Sequence, residues 1–556
     1  MTQYLKKIIM YKKIKILVVI IVIAFGSFSF TDNYFEVAKN LDIFTTVYRE
    51  LNNFYVDETD PGKLMKTAID KMLKSLDPYT NYIPESEIED FKFMTTGQYG
   101  GIGAVITKRD DFVFVSEPYF GFPAQKAGLM AGDKILKIDD VDAKGKTTEE
   151  VSKALKGQPN TDVKLLIDRP YIDDSFEVSF KREKISVKSV PYSSYLQEGI
   201  GYLKLRSFTR NCSNDVKDAI VDLQKKGDLK GLILDLRSNP GGLLNESVDI
   251  VNLFVEKGQE VVSTRGKIES WDKVYKANKQ PLNLEVPLVV LINQSSASAS
   301  EIVAGAVQDL DRGLVIGQRS YGKGLVQQTR KLSYNAQLKL TVAKYYIPSG
   351  RCIQALDYSN RNKDGSVGKV PDSLMTSFKT KNGRTVFDGG GIKPDVEIEE
   401  DEVSNLFISL IRERLFFDFA TLYRHQNKSF SADSINSISD EYFDLFKDFL
   451  ADKSYDYKTE TEKALELLKK KSEKENYYTS IEKEYDSLFS EFKLNKKNDL
   501  FRNKSSIKEF LSGEIASRYS YQEGRIKASL VFDPEVKTAI EYLSDSSLYS
   551  SILSKK

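Results

Sequence analysis

The sequence predicts a multidomain α+β protein in four parts: an N-terminal helical segment, a small β-rich domain, an α/β core and a helical C-terminal extension. Three observations predict it. The 556 residues allow three or four domains, at roughly 100–200 residues each. From about 184 to 400, continuous apolar runs alternate with helical patterns, as in a parallel or mixed sheet whose strands are joined through helices. Beyond 400 the composition shifts to Lys, Glu, Asp, Ser, Tyr and Phe, and Pro534 is the single proline after Pro394.

Residues 1–30 read as a targeting segment. Lys6, Lys7, Lys12, Lys13 and Lys15 precede an uncharged run from Ile16 to Phe30, which fits a secretory signal or an uncleaved N-terminal membrane anchor. Either one exports the rest of the chain, to the periplasm or cell envelope, on the outer face of the inner membrane if the anchor stays. Residues 31–96 form the helical segment. Phe35, Leu41, Phe44, Val47, Tyr48 and Leu51 recur at helical spacing, a second helix runs from Pro61 to Leu76, and a short third covers Glu85–Met94. "SLDPYTNYIPESE" breaks the pattern between the last two.

In residues 97–183 the runs "GAVIT", "FVFVSE", "KILKID" and "DVKLLID" read as strands, with one helix at Thr147–Lys156. Residues 184–400 repeat strand, loop and helix: "GLILDL", "RSNPGG" and "LLNESVDIVNLF"; then "PLVVLIN", "QSSASAS" and "EIVAGAVQDL"; then "GLVIG" and "QRSYGKG". Residues 401–556 carry patterns such as "EKALELLKKKSEKE", whose charge runs read as solvated helix faces.

Composition excludes several function classes. A net charge of +1, from 81 basic and 80 acidic side chains, provides no field for nucleic acid. Cys212 and Cys352 are too few for a disulfide framework or a four-cysteine zinc site, and whether they pair is open. The one histidine, His425 in "LYRHQNKSF", reads as a surface or interface residue. Ser-His-Asp triads, Cys-His pairs and multi-histidine metal sites each need a placed imidazole, so hydrolytic chemistry here needs another base. No metal or organic cofactor is expected.

In "NQSSASASEIVAGA" an apolar strand ends at Asn293, small residues turn, and a helix begins near Ser298. A serine there has free backbone N–H groups and a favourable dipole beside it, as a nucleophile with an oxyanion donor requires; a capping serine would look the same. In "GQRSYGKGLVQQ", Lys323 lies between Gly322 and Gly324. Gly317–Lys323 fits a phosphate loop, but Gly324 stands where Ser or Thr must ligate magnesium, and strands follow. Serine with lysine is a known way to dispense with histidine. The lysine must then be neutral, and bringing an ordinary value of about 10.4 to near 7 means destabilising the ammonium by roughly 4–5 kcal/mol.

"SASASEIVAGAVQD" followed by "GKGLVQQ" resembles the carboxyl-terminal processing peptidases, also called tail-specific proteases. The resemblance extends over about residues 35–400 and includes "LDPYTNY", "YGGIGAVI", "DLRSNPGGLL", "IPSGRCIQ" and "GRTVFDGGGIKPDV". It implies a serine endopeptidase on a ClpP/crotonase-like α/β spiral. Ser298 is then the nucleophile, Lys323 the general base and Gln327 the partner that orients the lysine. The Ala299 N–H and one of Gly241 and Gly242 become the oxyanion donors. Asp309 matches an acidic position grouped with the catalytic residues in the family, although its place near the helix end reads as structural. "YGGIG" with "PAQKAGLMAGDKILKID" resembles a PDZ domain, which implies that Tyr99, Gly100, Gly101, Ile102 and Gly103 hold a peptide carboxylate while the substrate adds as an extra strand. Expected partners are proteins and peptides with free C-termini, and the C-terminal extension is open to self-association, adaptor docking or substrate gating. A PDZ scaffold that no longer cuts is the competing reading. Arg169, at the exit of the PDZ segment in "LIDRP", suggests that an empty PDZ domain hinders the active site.

Overall fold

The computed structural model describes residues 34–362, 364–399, 403–429, 440–496 and 498–554. The targeting segment expected at 1–30 lies outside them. The chain divides into two compact units, Met1–Tyr82 and Ile83–Lys556. Among the described residues no helix is long and apolar enough to cross a membrane.

In the first unit a helix over 34–54 precedes the helix Pro61–Lys74. Asp60 caps the second by accepting the Lys63 N–H at 3.0 Å, and Pro61 fits the first turn because its missing N–H has no partner there. The Tyr48 hydroxyl donates to the Pro61 carbonyl at 2.8 Å. This helix ends before the expected Leu76, because buried Asp77 organises a turn of its own. Its carboxylate accepts the Tyr79 and Thr80 N–H groups at 2.8 Å and the Thr80 hydroxyl at 3.0 Å.

The second unit begins with the helix Ile88–Thr96 and the β-rich domain. Its antiparallel sheet runs in the order Ala104–Arg109, Phe112–Pro118, Lys134–Ile138, Asp162–Asp168, Phe176–Lys181. Strict alternation buries Val163, Leu165 and Ile167 in one strand and Val113 and Val115 in another. The helix Thr148–Leu155 starts with a capping box between Thr147 and Glu150 and buries Val151 and Leu155 against them. Ala104–Arg109 is an edge strand of the sheet.

The α/β core is a six-stranded sheet in the order Tyr192–Gln197, Ile200–Lys204, Gly231–Asp235, Leu288–Ile292, Leu314–Gly317, Val396–Glu397, antiparallel in the first pair and parallel after it. The helices Cys212–Lys226, Leu244–Val251 and Ala299–Asp309 bury their apolar faces on one side. A second, antiparallel sheet containing Glu260–Gly266, Gln337–Tyr346 and Leu325–Lys331 joins that side. Val536, Ala539, Leu543 and Tyr549, from the helices Pro534–Ser544 and Ser546–Leu553, pack with Ile233, Val289, Leu291 and Ile316 on the other. Tyr549 fixes this contact by accepting the Leu288 N–H and donating to the Leu288 carbonyl, both at 3.0 Å. The end of the chain therefore belongs to the core, not to a separate extension from 401. A parallel sheet needs both faces covered, and composition does not tell which helices do so.

The other C-terminal helices have their own core, in which Phe416, Phe419, Phe443 and Phe446 meet Ile507, Leu511 and Ile515. The helix Lys504–Leu530 passes between the two cores. It breaks at Ser520–Tyr521, where Tyr521 takes φ +53°, and delivers Ile526 and Leu530 to the sheet. Cys212 and Cys352 are both free thiols, Cys212 buried at the start of its helix. His425 lies on the helix Leu415–Gln426 with its ring 5.4 Å from that of Tyr171.

Candidate active site

The parallel strands bring their C-terminal ends together, where ligand sites form in open α/β sheets. Ser298 lies beyond the end of Leu288–Ile292 as the residue before the helix Ala299–Asp309. Its backbone has φ +58° and ψ −112°, a sparsely populated conformation that costs a non-glycine residue about 1–3 kcal/mol. The surroundings hold it there. Its N–H donates to Glu301 Oε2 at 2.7 Å, and its carbonyl accepts the Tyr345 hydroxyl at 3.2 Å. The Ala299 N–H is in the first helical turn, where intrahelical partners are lacking.

Glu301 is fully buried and reaches the second catalytic candidate as well. Oε2 also accepts the Lys323 N–H at 2.9 Å; Oε1 accepts the Gly322 N–H at 2.7 Å and the Ser320 hydroxyl at 2.6 Å. One carboxylate thus ties the backbone of Ser298 to that of Lys323. Burial pushes its carboxyl above the ordinary range, with these donors pulling the other way. Sequence reading missed Glu301, although Ser298-Ala-Ser-Glu301 has the capping-box pattern that signals it.

Ser298, Ala299, Lys323, Gln327, Gly241 and Gly242 line one cavity of about 520 Å³. Gln327 donates to the Thr341 hydroxyl across the hairpin at 3.2 Å. The glycine loop is held by a second residue that sequence reading did not single out, buried Asn239. It donates to the Leu205 carbonyl at 2.9 Å, accepts the Gly241 N–H at 2.9 Å, and through its own carbonyl accepts the Ala297 N–H at 3.1 Å and the Ser300 hydroxyl at 2.9 Å. Gly241, at φ +96°, lies so near the turn that a Cβ would stand 2.6 Å from the Ala297 oxygen. Phe208 donates to the Gly241 carbonyl and accepts from Leu243, in a parallel bridge opposite Gly242. That alternation turns the Gly242 N–H away from Phe208, while the Gly241 N–H is already engaged.

Two expected groupings are corrected. Asp309 is at the opposite end of the Ser298 helix and does not line the cavity. Fully buried, it pairs with Arg351 at 2.7 Å and accepts the Ser349 N–H at 2.9 Å, so it fastens a loop. Tyr99, Gly100 and Gly101 do not form a loop either. They sit in the strand Gln98–Gly101, paired antiparallel with Glu183–Ser186, a partner too distant in sequence to be read from "YGGIG". Ile102 and Gly103 follow as the turn into the edge strand, with Gly103 at φ +74°. Arg169 pairs with buried Asp133 at 2.7 Å and donates to the Gly128 carbonyl at 2.7 Å, inside its own domain.

The helical domain touches this region. Arg109 pairs with Asp418 at 2.8 Å, Arg414 donates to the Thr107 hydroxyl and the Lys108 carbonyl, and Arg525 pairs with Glu117 at 3.0 Å.

Comparison with known proteins matches residues 199–360 to peptidase family S41, 114–169 to the PDZ domain and 406–543 to the C-terminal helical domain of a probable PDZ-protease. The carboxy-terminal-processing protease of Bartonella bacilliformis is 40% identical over 329 residues, 59% of this chain and 75% of that protein. A probable CtpA-like serine protease of Staphylococcus aureus is 38% identical over 318 residues, 57% of this chain and 63% of that protein. Among solved structures, the photosystem II D1 C-terminal processing protease is 28% identical and aligns with 64% of this chain and 92% of its own, at a TM-score of 0.35. The family match lies over the sheet and turn that carry Ser298, and the 40% identity runs across three quarters of a processing protease: this chain belongs to peptidase family S41, as a C-terminal processing serine protease with a PDZ domain.

Proposed function

We propose that the enzyme is an exported endopeptidase with a Ser298–Lys323 dyad, which selects proteins by their C-termini through the PDZ domain. The observation that carries this is the shared cavity of Ser298 and Lys323, with one buried carboxylate bonded to both backbones. Lys323 takes the Ser298 hydroxyl proton as Oγ attacks a peptide carbonyl. The tetrahedral oxyanion is received by the N–H groups of Ala299 and Gly242. Lys323 passes its proton to the leaving amine, the C–N bond breaks, and an ester to Ser298 remains. Water then gives a proton to Lys323, attacks the ester and releases the acid, and Ser298 recovers its proton. Gln327 orients the amine. The substrate C-terminus pairs along Ala104–Arg109 with its carboxylate at the Ile102–Gly103 turn, and the charged and apolar 1–30 segment carries the chain across the membrane.

The test is cleavage of an unfolded protein with an apolar C-terminus. Ser298→Ala and Lys323→Ala each lose about 10⁴-fold or more in kcat/KM, and a serine-directed probe labels the wild type only at Ser298. Wild-type turnover by Ser298→Ala rules the dyad out. A reporter fused after residue 30 is translocated, and its retention inside the cell rules out export.

A further inference from the structure

The catalytic cavity contains a second lysine. Lys339 lines it from the strand Gln337–Tyr346, directly across from Thr329, with the Gln327–Thr341 pair next along the same face. Lys339 is thus the diagonal neighbour of Gln327, roughly 7–8 Å away on that face. Arg206 is a further cation in the lining, which contains no Asp or Glu. The remaining wall is largely apolar, with Phe91, Phe93, Met94, Leu243 and Ile302.

The setting of Lys339 differs from that of other half-buried lysines. Lys204 pairs with Asp235 at 3.2 Å, Lys134 with Asp168 at 2.6 Å and Lys496 with Glu462 at 3.2 Å. Lys339 forms no such pair among the described residues, and burial alone lowers the affinity of its amine for a proton. A desolvated cation without an anion is unfavourable unless a ligand supplies the anion. In a cavity that receives polypeptide, that ligand is part of the substrate.

We infer that Lys339 forms a carboxylate subsite beside the scissile bond, so the enzyme favours segments that place a carboxylate on Lys339 amid apolar residues. This rests on the proposal that Ser298 in the same cavity is the nucleophile. The carboxylate comes either from an Asp or Glu side chain near the cleavage point or from the substrate's own C-terminus.

Matched peptides test this on the full-length protein. One set carries Glu or Gln at each position around the scissile bond, with amidated ends; the other carries a free or amidated C-terminus close to that bond. A charge-assisted contact predicts a Glu-over-Gln ratio in kcat/KM of about tenfold or more at one position, or the same ratio of free acid over amide, and the arm that shows it identifies the source. The ratio falls to about one in Lys339→Gln, is retained in Lys339→Arg and reverses toward Lys-bearing peptides in Lys339→Glu. The arginine and glutamate variants decide the matter if the glutamine variant does not fold. A wild-type ratio of one in both arms overturns the inference. So does a ratio that survives Lys339→Gln, which for the acid–amide pair then belongs to the PDZ domain. Ser298-dependent cleavage without a carboxylate preference refutes only this subsite, whereas cleavage by Ser298→Ala refutes the reading beneath it.

Discussion

Two turns of backbone differ in how their N–H groups are governed. At 296–301 buried polar side chains add to the backbone bonds of the turn: Glu301 accepts the N–H of Ser298 and Lys323, and Asn239 holds the glycine loop and the serine turn together. At 99–103 the backbone is held by strand pairing and glycine conformation. The first turn is over-determined and can sustain a strained serine. The second relies on strand pairing and a glycine at positive φ.

The contrast can be broken from either side. Glu301→Gln exchanges a carboxylate with four donors for an amide that turns its own N–H groups toward some of them. Activity is expected to fall about 10²–10³-fold in kcat with KM little changed, and steady-state kinetics beside circular dichroism checks it. Gly242→Ala puts a Cβ 2.4 Å from the Phe208 oxygen at φ +148°, and a loss of about 10²-fold in kcat is expected as the loop shifts its donor. Unchanged kcat in Gly242→Ala would remove Gly242 as the donor. On the other side, Gly103→Ala puts a Cβ 2.5 Å from the Phe122 Cβ at φ +74°, and a C-terminal peptide should bind about tenfold or more weakly by calorimetry; unchanged binding would remove this turn from the site.

A smaller effect concerns stability beneath the catalytic turn. Burial works against the charge of Asp235, but the Arg237 guanidinium and the Lys204 ammonium overcome it and hold the carboxyl well below the usual carboxylate range. A carboxyl depressed in the folded state contributes stability above its unfolded value of about 3.9, and this is lost as pH falls through and below that value. Acid unfolding of Asp235→Asn should therefore start from a lower stability at pH 7 and depend less steeply on pH below about 4. An unchanged slope would remove Asp235 from the acid response.

Legibility followed the range of the interactions. The helix starts near Thr147 and Pro61 were readable because their signals lie within a few residues, yet the equally local caps at Asp60, Glu150 and Glu301 were passed over. The strands of the core announced themselves as apolar runs, and the family motifs pointed to Ser298, Lys323 and Gln327. Long-range pairing was not readable. Gly100 meets Lys184, Asp309 meets Arg351 and Leu288 meets Tyr549 only after the chain has folded back. Lys339 was hidden for another reason: alternation along "QLKLTV" gives it a face, but not the cavity which that face lines.

The sheet that carries Ser298 is finished by helices from 534–553, far downstream of its last strand at Val396–Glu397. Without that segment, Ile233, Val289, Leu291 and Ile316 lose Val536, Ala539, Leu543 and Tyr549 from a cover otherwise completed by Ile526 and Leu530. A chain that stops before Pro534 lacks this cover, so its sheet is expected to lose stability, read as a lowered unfolding midpoint.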